Sequence, residues 1–439
     1  MSMIRLIATV GLALWLALPA RAAVDIQEVT SPGGIDAWLV ESHEIPFVAL
    51  EIRFRGGASL DAPGKRGAVN LMTALLEEGS GEMDARAFVR ARDALAASFR
   101  FSAGQDSLSL SARMLSENRD EAVALLRQAL HAPRFDADAI ERVRSQVISS
   151  IRSDAKDPNA IAGQTFDRLA FGAHPYASPI DGTEDSVTAL TRADLLDAHA
   201  RVVARDRLYV AAVGDITAEE LGALLDRLFD GLPETGAPLP EQAPYVLGGG
   251  ITVVPFDTPQ SVAVFGHRGM ERDDPDFFAA YVMNEVLGAG GFESRLMKEV
   301  RVKRGLTYGV YSYLYPMDYA ALMLGQVASG NENIAEAIAV IRAEWAKMAE
   351  SGVTEQELED VKTYLTGAYP LRFDGNAPIA RILVGMQMEG LSPGYVNTRN
   401  DQIMAVTLED VRRVAGKLLQ PDQLHFVVVG RPEGLETTN

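Results

Sequence analysis

The chain has no cysteine among its 439 residues, so neither a disulfide nor a thiolate-held metal can form. Histidine is scarce and scattered. His43, His131, His174, His199, His267 and His425 include no two within four or five residues of each other. A zinc site built on a helix needs a paired spacing, so these six read as structural or surface residues. Positive charge is also short: a formal net charge of −19 speaks against nucleic acid and against a basic membrane-binding face. No G-x-S-x-G elbow follows a strand, and no P-loop or dinucleotide fingerprint occurs, because GAGGFE lacks the spacing and the downstream acid. After the N-terminal residues no apolar run is long enough to span a bilayer.

What is present reads as a folded protein with room for two or three domains: 47 % of residues are hydrophobic and 23 % charged, enough for a proper core and too mixed for disorder. Arg5, the apolar run LIATVGLALWLALP and then Ala20-Arg21-Ala22 form the three parts of a secretory signal peptide over residues 1–22. The expectation is export, to the periplasm, with cleavage after Ala22; an uncleaved anchor is the alternative.

Strands are expected over 24–37, with a turn at Ser31–Gly34, then over 47–54, 99–103, 108–114 and 208–213. Helices are expected over 66–78, 85–96, 118–129 and 137–152. Thr191 with Asp194 opens one more helix, and Thr217 with Glu220 forms a capping box. Residues 233–250, PETGAPLPEQAPYVLGGG, are dense in proline and glycine and carry no apolar period, the mark of a linker. Beyond it the order repeats. Thr191, Asp194 and Gly214 pair with Thr407, Asp410 and Gly430 at an offset of 216, and Asp157-Pro-Asn-Ala160 pairs with Asp374-Gly-Asn-Ala377 at 217. FRGG at Phe54 corresponds to FGHRG at Phe265. Three matches in one order argue for duplication. The fold class is therefore α+β, with two homologous domains over 23–235 and 251–439 joined by a linker over 236–250, each an antiparallel sheet packed with helices. In the second copy Ile334, Ile338, Ile341, Trp345 and Met348 mark a long amphipathic helix, and Thr354 with Glu357 caps the next.

The densest stretch is GAGGFESRLMKEVRVKRGLTYGVYSYL, residues 288–314. Gly288, Gly290 and Gly291 allow tight turns. A short helix follows with Leu296 and Val300 on one face, Gly305 as its C-terminal cap, and a strand in which Tyr308, Val310 and Ser312 alternate with Thr307, Gly309 and Tyr311. This arrangement would bring Arg301 and Tyr308 close together; an ordinary helix-to-strand connection with solvated basic residues is the alternative.

The export signal, the duplication, the HPYASP loop and this stretch together resemble the pitrilysin/insulinase family, and within it the processing-peptidase-like branch of short two-domain subunits. The resemblance covers nearly all of the chain after residue 22. It implies a clamshell in which this chain is one half, closing with a similar chain around a peptide. One half of such a clamshell carries an HxxEH zinc motif with a downstream glutamate, and the other supplies an arginine and a tyrosine seven residues apart. The latter two map onto Arg301 and Tyr308, with Gly288, Gly290, Gly291 and Phe292 as the implied peptide-holding turn.

The zinc motif itself is missing. The matching segment GAVNLMTALLEEGS places Asn70, Thr73 and Ala74 where the two histidines and the glutamate belong, and none of the three suits zinc or general-base work. Ser149 and Ser150 stand near the third-ligand position. Glu77 and Glu78, being adjacent, suggest a solvated face and no acid/base pair. The resulting expectation is no metal in this chain and a non-zinc subunit of an exported heterodimeric metallopeptidase, with the zinc in a partner that carries HxxEH. The alternatives are an inactive peptide-binding or scaffold protein that keeps the fold, and a periplasmic peptide-binding protein whose lobes close on a ligand.

Overall fold

The computed structural model describes residues 24–438; the signal-peptide expectation lies outside these residues. In the first half the strands are β1 (Gln27–Thr30), β2 (Asp36–Glu41), β3 (Phe47–Arg55), the short β4 (Gly79–Ser80) and β5 (Met83–Asp84), β6 (Ser98–Ala103), β7 (Ser107–Leu115) and β8 (Leu208–Gly214). In the second they are β9 (Gly250–Pro255), β10 (Gln260–Arg268), β11 (Val310–Pro316), β12 (Ala321–Gly330) and β13 (His425–Gly430). The sheets run β1-β2-β8-β3-β7-β6 and β11-β12-β10-β13-β9. Read outward from β8 and from β13, the two orders coincide from β2 to β6 and from β9 to β11, so the duplication inferred from three short matches extends to topology.

Neither sheet is wholly antiparallel. β2 pairs β8 and β9 pairs β13 in parallel, one such step per sheet, because in each half an early strand lies beside the one that closes the half. The capping boxes at Thr191, Thr217, Thr354 and Thr407 are all formed, and the first and last of these are the repeated pair. The helix Ile334–Ser351 buries the expected stripe, Trp345 included.

The packing holds one arrangement that no local pattern discloses. Each sheet is buried on both faces. Val48, Leu50, Val210 and Ala212 face the first half's own helices, while Ala49, Ala211 and Val213 face Ala380, Leu383 and Val384 of the helix Asn376–Met388, which belongs to the second half by sequence. Reciprocally, Val262, Val427 and Val429 pack against Ala162, Phe166 and Ala170 of the helix Pro158–Phe171 from the first half. The repeated Asp-x-Asn-Ala segments open these two exchanged helices. Burial on both faces explains why β8 and β13 read as near-continuous apolar runs. The proline-rich segment between the halves is strapped across this junction: the amides of Ala243 and Val246 donate to the carbonyls of Tyr319 and Ala170 at 2.7 and 2.9 Å.

Candidate functional site

Around the degenerate zinc motif most polar groups have a structural task, though the buried Ser80 hydroxyl has no partner. The helix there is shorter than its apolar pattern suggests, Ala68–Ala74, so Glu77 and Glu78 fall in the following turn. They are not a free solvated face: Glu77 accepts from Arg92 at 2.7 Å and Glu78 from Arg142 at 2.5 Å. Asn70 donates to the Asp181 carboxylate at 2.7 Å, and the buried Thr73 hydroxyl donates to the Val69 carbonyl one turn back, also at 2.7 Å. Ala74 offers no donor atom. Ser149 and Ser150 are exposed on the helix Ala137–Asp154. Among the described residues no three His, Cys, Asp or Glu side chains converge as a metal ligand set. The donor chemistry here does not fit zinc.

A carboxylate that the sequence reading missed organises this helix. Asp61 accepts from the amides of Gly67 and Val69, both at 2.8 Å, and so satisfies two donors at the helix start. Burial pushes its pKa up to about 6 in spite of those bonds. Only its position six residues before the motif's glycine could have flagged it. The six histidines are each engaged separately. His131, His174, His199 and His425 bond the carbonyls of Leu228, Glu241, Leu130 and Gly248, while His43 bonds Asp215. His267 bonds the Arg268 carbonyl through Nδ1 and accepts from the Trp345 indole at Nε2.

The second half presents the opposite picture. After the helix Phe277–Asn284 the chain passes through a wide π-type turn, Glu285–Ala289, a tight turn at Gly291–Glu293 and a π-type helix, Met297–Val302. Gly288 is buried where a Cβ would sit 2.2 Å from the Ser312 hydroxyl, so packing against β11 demands this glycine and removes it from any peptide. Gly291 adopts φ +54 with open space around it, and beside it Phe292 is 60 % exposed. Arg295 anchors the segment, donating to Glu357 at 2.8 and 2.7 Å and to the Gly352 carbonyl. Although burial opposes it, these bonds with the Thr354 cap hold Glu357 down at about 2.

Arg301 and Tyr308 are brought together, by a route other than the expected one. Gly305 ends the helix at φ +67 as its capping role requires, but β11 begins only at Val310. Tyr308 precedes the strand, and its side chain is out of phase with the buried Val310 and Ser312. The reason is Thr307, whose hydroxyl donates to the Gly309 and Ala328 carbonyls and turns the chain before it joins the sheet. Tyr308 is left 82 % exposed. The Arg301 guanidinium lies 4.7 Å above the Phe292 ring and donates through Nη1 to the Tyr308 carbonyl at 2.5 Å. Both residues line an open cavity of about 430 Å³ together with Thr307, Ser329 and Asn333.

Residues 37–184 match the family described as Insulinase (Peptidase family M16), and residues 189–365 match Peptidase M16 inactive domain. A non-peptidase homolog, YmxG, of Helicobacter pylori is 28 % identical over 393 residues, 89 % of this chain and 90 % of that protein. An uncharacterized zinc protease of Mycobacterium leprae is 27 % identical over 405 residues, 91 % of each chain. The crystal structure of a peptidase M16 inactive domain from Pseudomonas fluorescens shares 30 % identity, with a TM-score of 0.87 over 94 % of this chain and 100 % of that one. A duplicated fold, a helix stripped of zinc ligands and similarity along nearly the whole chain lead to one assignment: this protein is a member of the insulinase peptidases, family M16.

Proposed function

We propose that this chain is the non-zinc subunit of an exported heterodimeric metallopeptidase, closing one side of a peptide chamber and presenting Arg301 and Tyr308 to the substrate. The observation that carries the reading is the exposure of Tyr308 and Phe292 beside Arg301, three large side chains for which burial supplies no reason. The partner chain would hold the zinc and the general base. Arg301 keeps Nε and Nη2 for a ligand while Nη1 braces the Tyr308 carbonyl, and the Tyr308 hydroxyl is in water. A guanidinium and a phenol are donors, and two donors aimed at a peptide carbonyl stabilise the charge that grows on its oxygen as it is attacked. Gly291 and Phe292 would lie under the peptide; Gly290 keeps the turn tight, since a Cβ there would meet the Glu285 carbonyl at 2.6 Å.

The bond from Arg301 to the Tyr308 carbonyl favours a second reading, in which the arginine merely braces its loop and the chain is an inactive scaffold. Reconstitution separates the two. The chain mixed with an HxxEH-bearing partner should hydrolyse peptide where neither alone does. A partner equally active by itself would refute the subunit role.

A further inference from the structure

A cavity of about 730 Å³ lies between the helices Phe277–Asn284, Asn376–Met388 and Tyr395–Ala405 and strand β11, with Ala289 of the glycine-rich turn in its wall. Its charge is the reverse of the protein's. The chain as a whole carries 60 Asp and Glu against 41 Lys and Arg, but this wall holds Arg272, Arg372, Arg381 and Arg399 against the single carboxylate of Glu389.

Arg399 is the informative one. It is only 6 % exposed, and no carboxylate stands within 4 Å of it among the described residues. Its Nη1 donates to the Leu365 carbonyl at 3.1 Å and to the Asn400 side chain at 3.0 Å, and its plane lies 4.3 Å from the Tyr369 ring. Glu285 is nearby but not in contact: burial pushes its pKa up, and the Arg399 charge pulls it part of the way back. A guanidinium withdrawn from water without a carboxylate is costly unless an anion completes it. Arg272 is preorganised beside it: the ring of Phe277 is 4.3 Å away, Nε donates to Glu389 and Nη2 to the Tyr395 hydroxyl, both at 3.0 Å, which leaves Nη1. Arg372 is exposed and has no ion-pair partner within 4 Å among the described residues, whereas Arg381 is 3.9 Å from Glu51. Guanidinium groups on an aromatic wall suit a planar carboxylate.

We propose that this cavity binds a carboxylate of the bound peptide, either an Asp or Glu side chain or the chain terminus, so that the protein selects acidic peptides. This proposal rests on the reading of the chain as a peptide-holding subunit, but it needs no partner and no turnover. The test is fluorescence anisotropy on the isolated chain with three labelled hexapeptides: a terminally blocked one with Tyr-Glu at its centre, its Glu→Gln counterpart, and that counterpart with a free C-terminus. The blocked acidic peptide, the free-ended one or both should bind about tenfold tighter than the blocked amide, and which does so identifies the carboxylate's source. Arg372→Gln should weaken the acidic complex about three- to fivefold, the scale of one exposed ion pair, and R372E more, with the melting temperature and the amide peptide unaffected. Equal affinity for all three peptides, or an R372E variant that binds the acidic peptide as well as the parent, would overturn the proposal. Arg301→Ala should leave this preference intact, so failure of the catalytic reading and failure of this one are seen separately.

Discussion

The segment after β3 and the segment after β10 occupy equivalent places in the duplicated fold, yet they treat their polar groups in opposite ways. In the first, Asp61, Asn70, Thr73, Glu77 and Glu78 are all hydrogen-bonded within the half. In the second, regular helix gives way to π-type turns, and Phe292 and Tyr308 stand in water beside a guanidinium with donors to spare. Topology is shared, so topology cannot say where function lies. What differs is where the exposed aromatic and basic groups stand: beside the glycine-rich turn of the second half, and not around the degenerate zinc motif of the first.

Exchanged helices weld the two halves together. Phe166→Ala, which removes a fully buried ring from the second sheet's outer face, should cost about 3–5 kcal/mol. Calorimetry should still show one transition at a lower melting temperature; two separate transitions would break the weld. A smaller effect should follow from Asp106, at the same junction. It accepts from the Tyr176 hydroxyl at 2.5 Å and lies near Asp318, which pairs with Arg55 at 3.1 Å. Burial pushes the Asp106 pKa up to about 6, so the folded state holds a proton that the unfolded state has released. Its contribution to stability is present at acid pH and is lost as pH rises through about 6. The stability difference between the parent and Asp106→Asn should therefore shift in the parent's favour from pH 7 to pH 5, by on the order of 1–3 kcal/mol. Asp61 and Asp167, raised to about 6 and about 7, act in the same direction, whereas His131, His174, His199, His267 and His425, whose pKa values burial lowers, act against it.

Two substitutions sharpen the contrast between the halves. Asn70→Ala should lower stability by about 1 kcal/mol, the scale of one hydrogen bond, and leave the turnover of a reconstituted complex unchanged. Tyr308→Phe should do the reverse: with 82 % of the residue exposed its hydroxyl contributes nothing to folding, while kcat should fall severalfold, less than for a full donor's loss.

Much of this was legible in the sequence. The caps at Thr217 and Thr354 and the helix opening at Thr191 depend on residues near one another in the chain and lie where expected, whereas the alternation expected from Thr307 holds only from Val310 onward. The exchanged helices were not legible, because Phe166 and Leu383 bury against strands that lie far away in sequence, and a helix looks the same whichever sheet it covers. The turn at Thr307 was hidden for a related reason: its partner, Ala328, lies 21 residues on. The arginine-lined cavity was hidden most completely, since Arg272, Arg372 and Arg399 come from separate elements and only the fold gathers them.

The most direct test of the catalytic reading is to measure kcat and melting temperature together on Arg301→Ala, in complex with an HxxEH-bearing partner. Loss of a transition-state donor should lower kcat by about 10²–10³-fold, with peptide binding and melting temperature close to those of the parent. Unchanged turnover with a lowered melting temperature would contradict the account and leave Arg301 as a brace for its own loop.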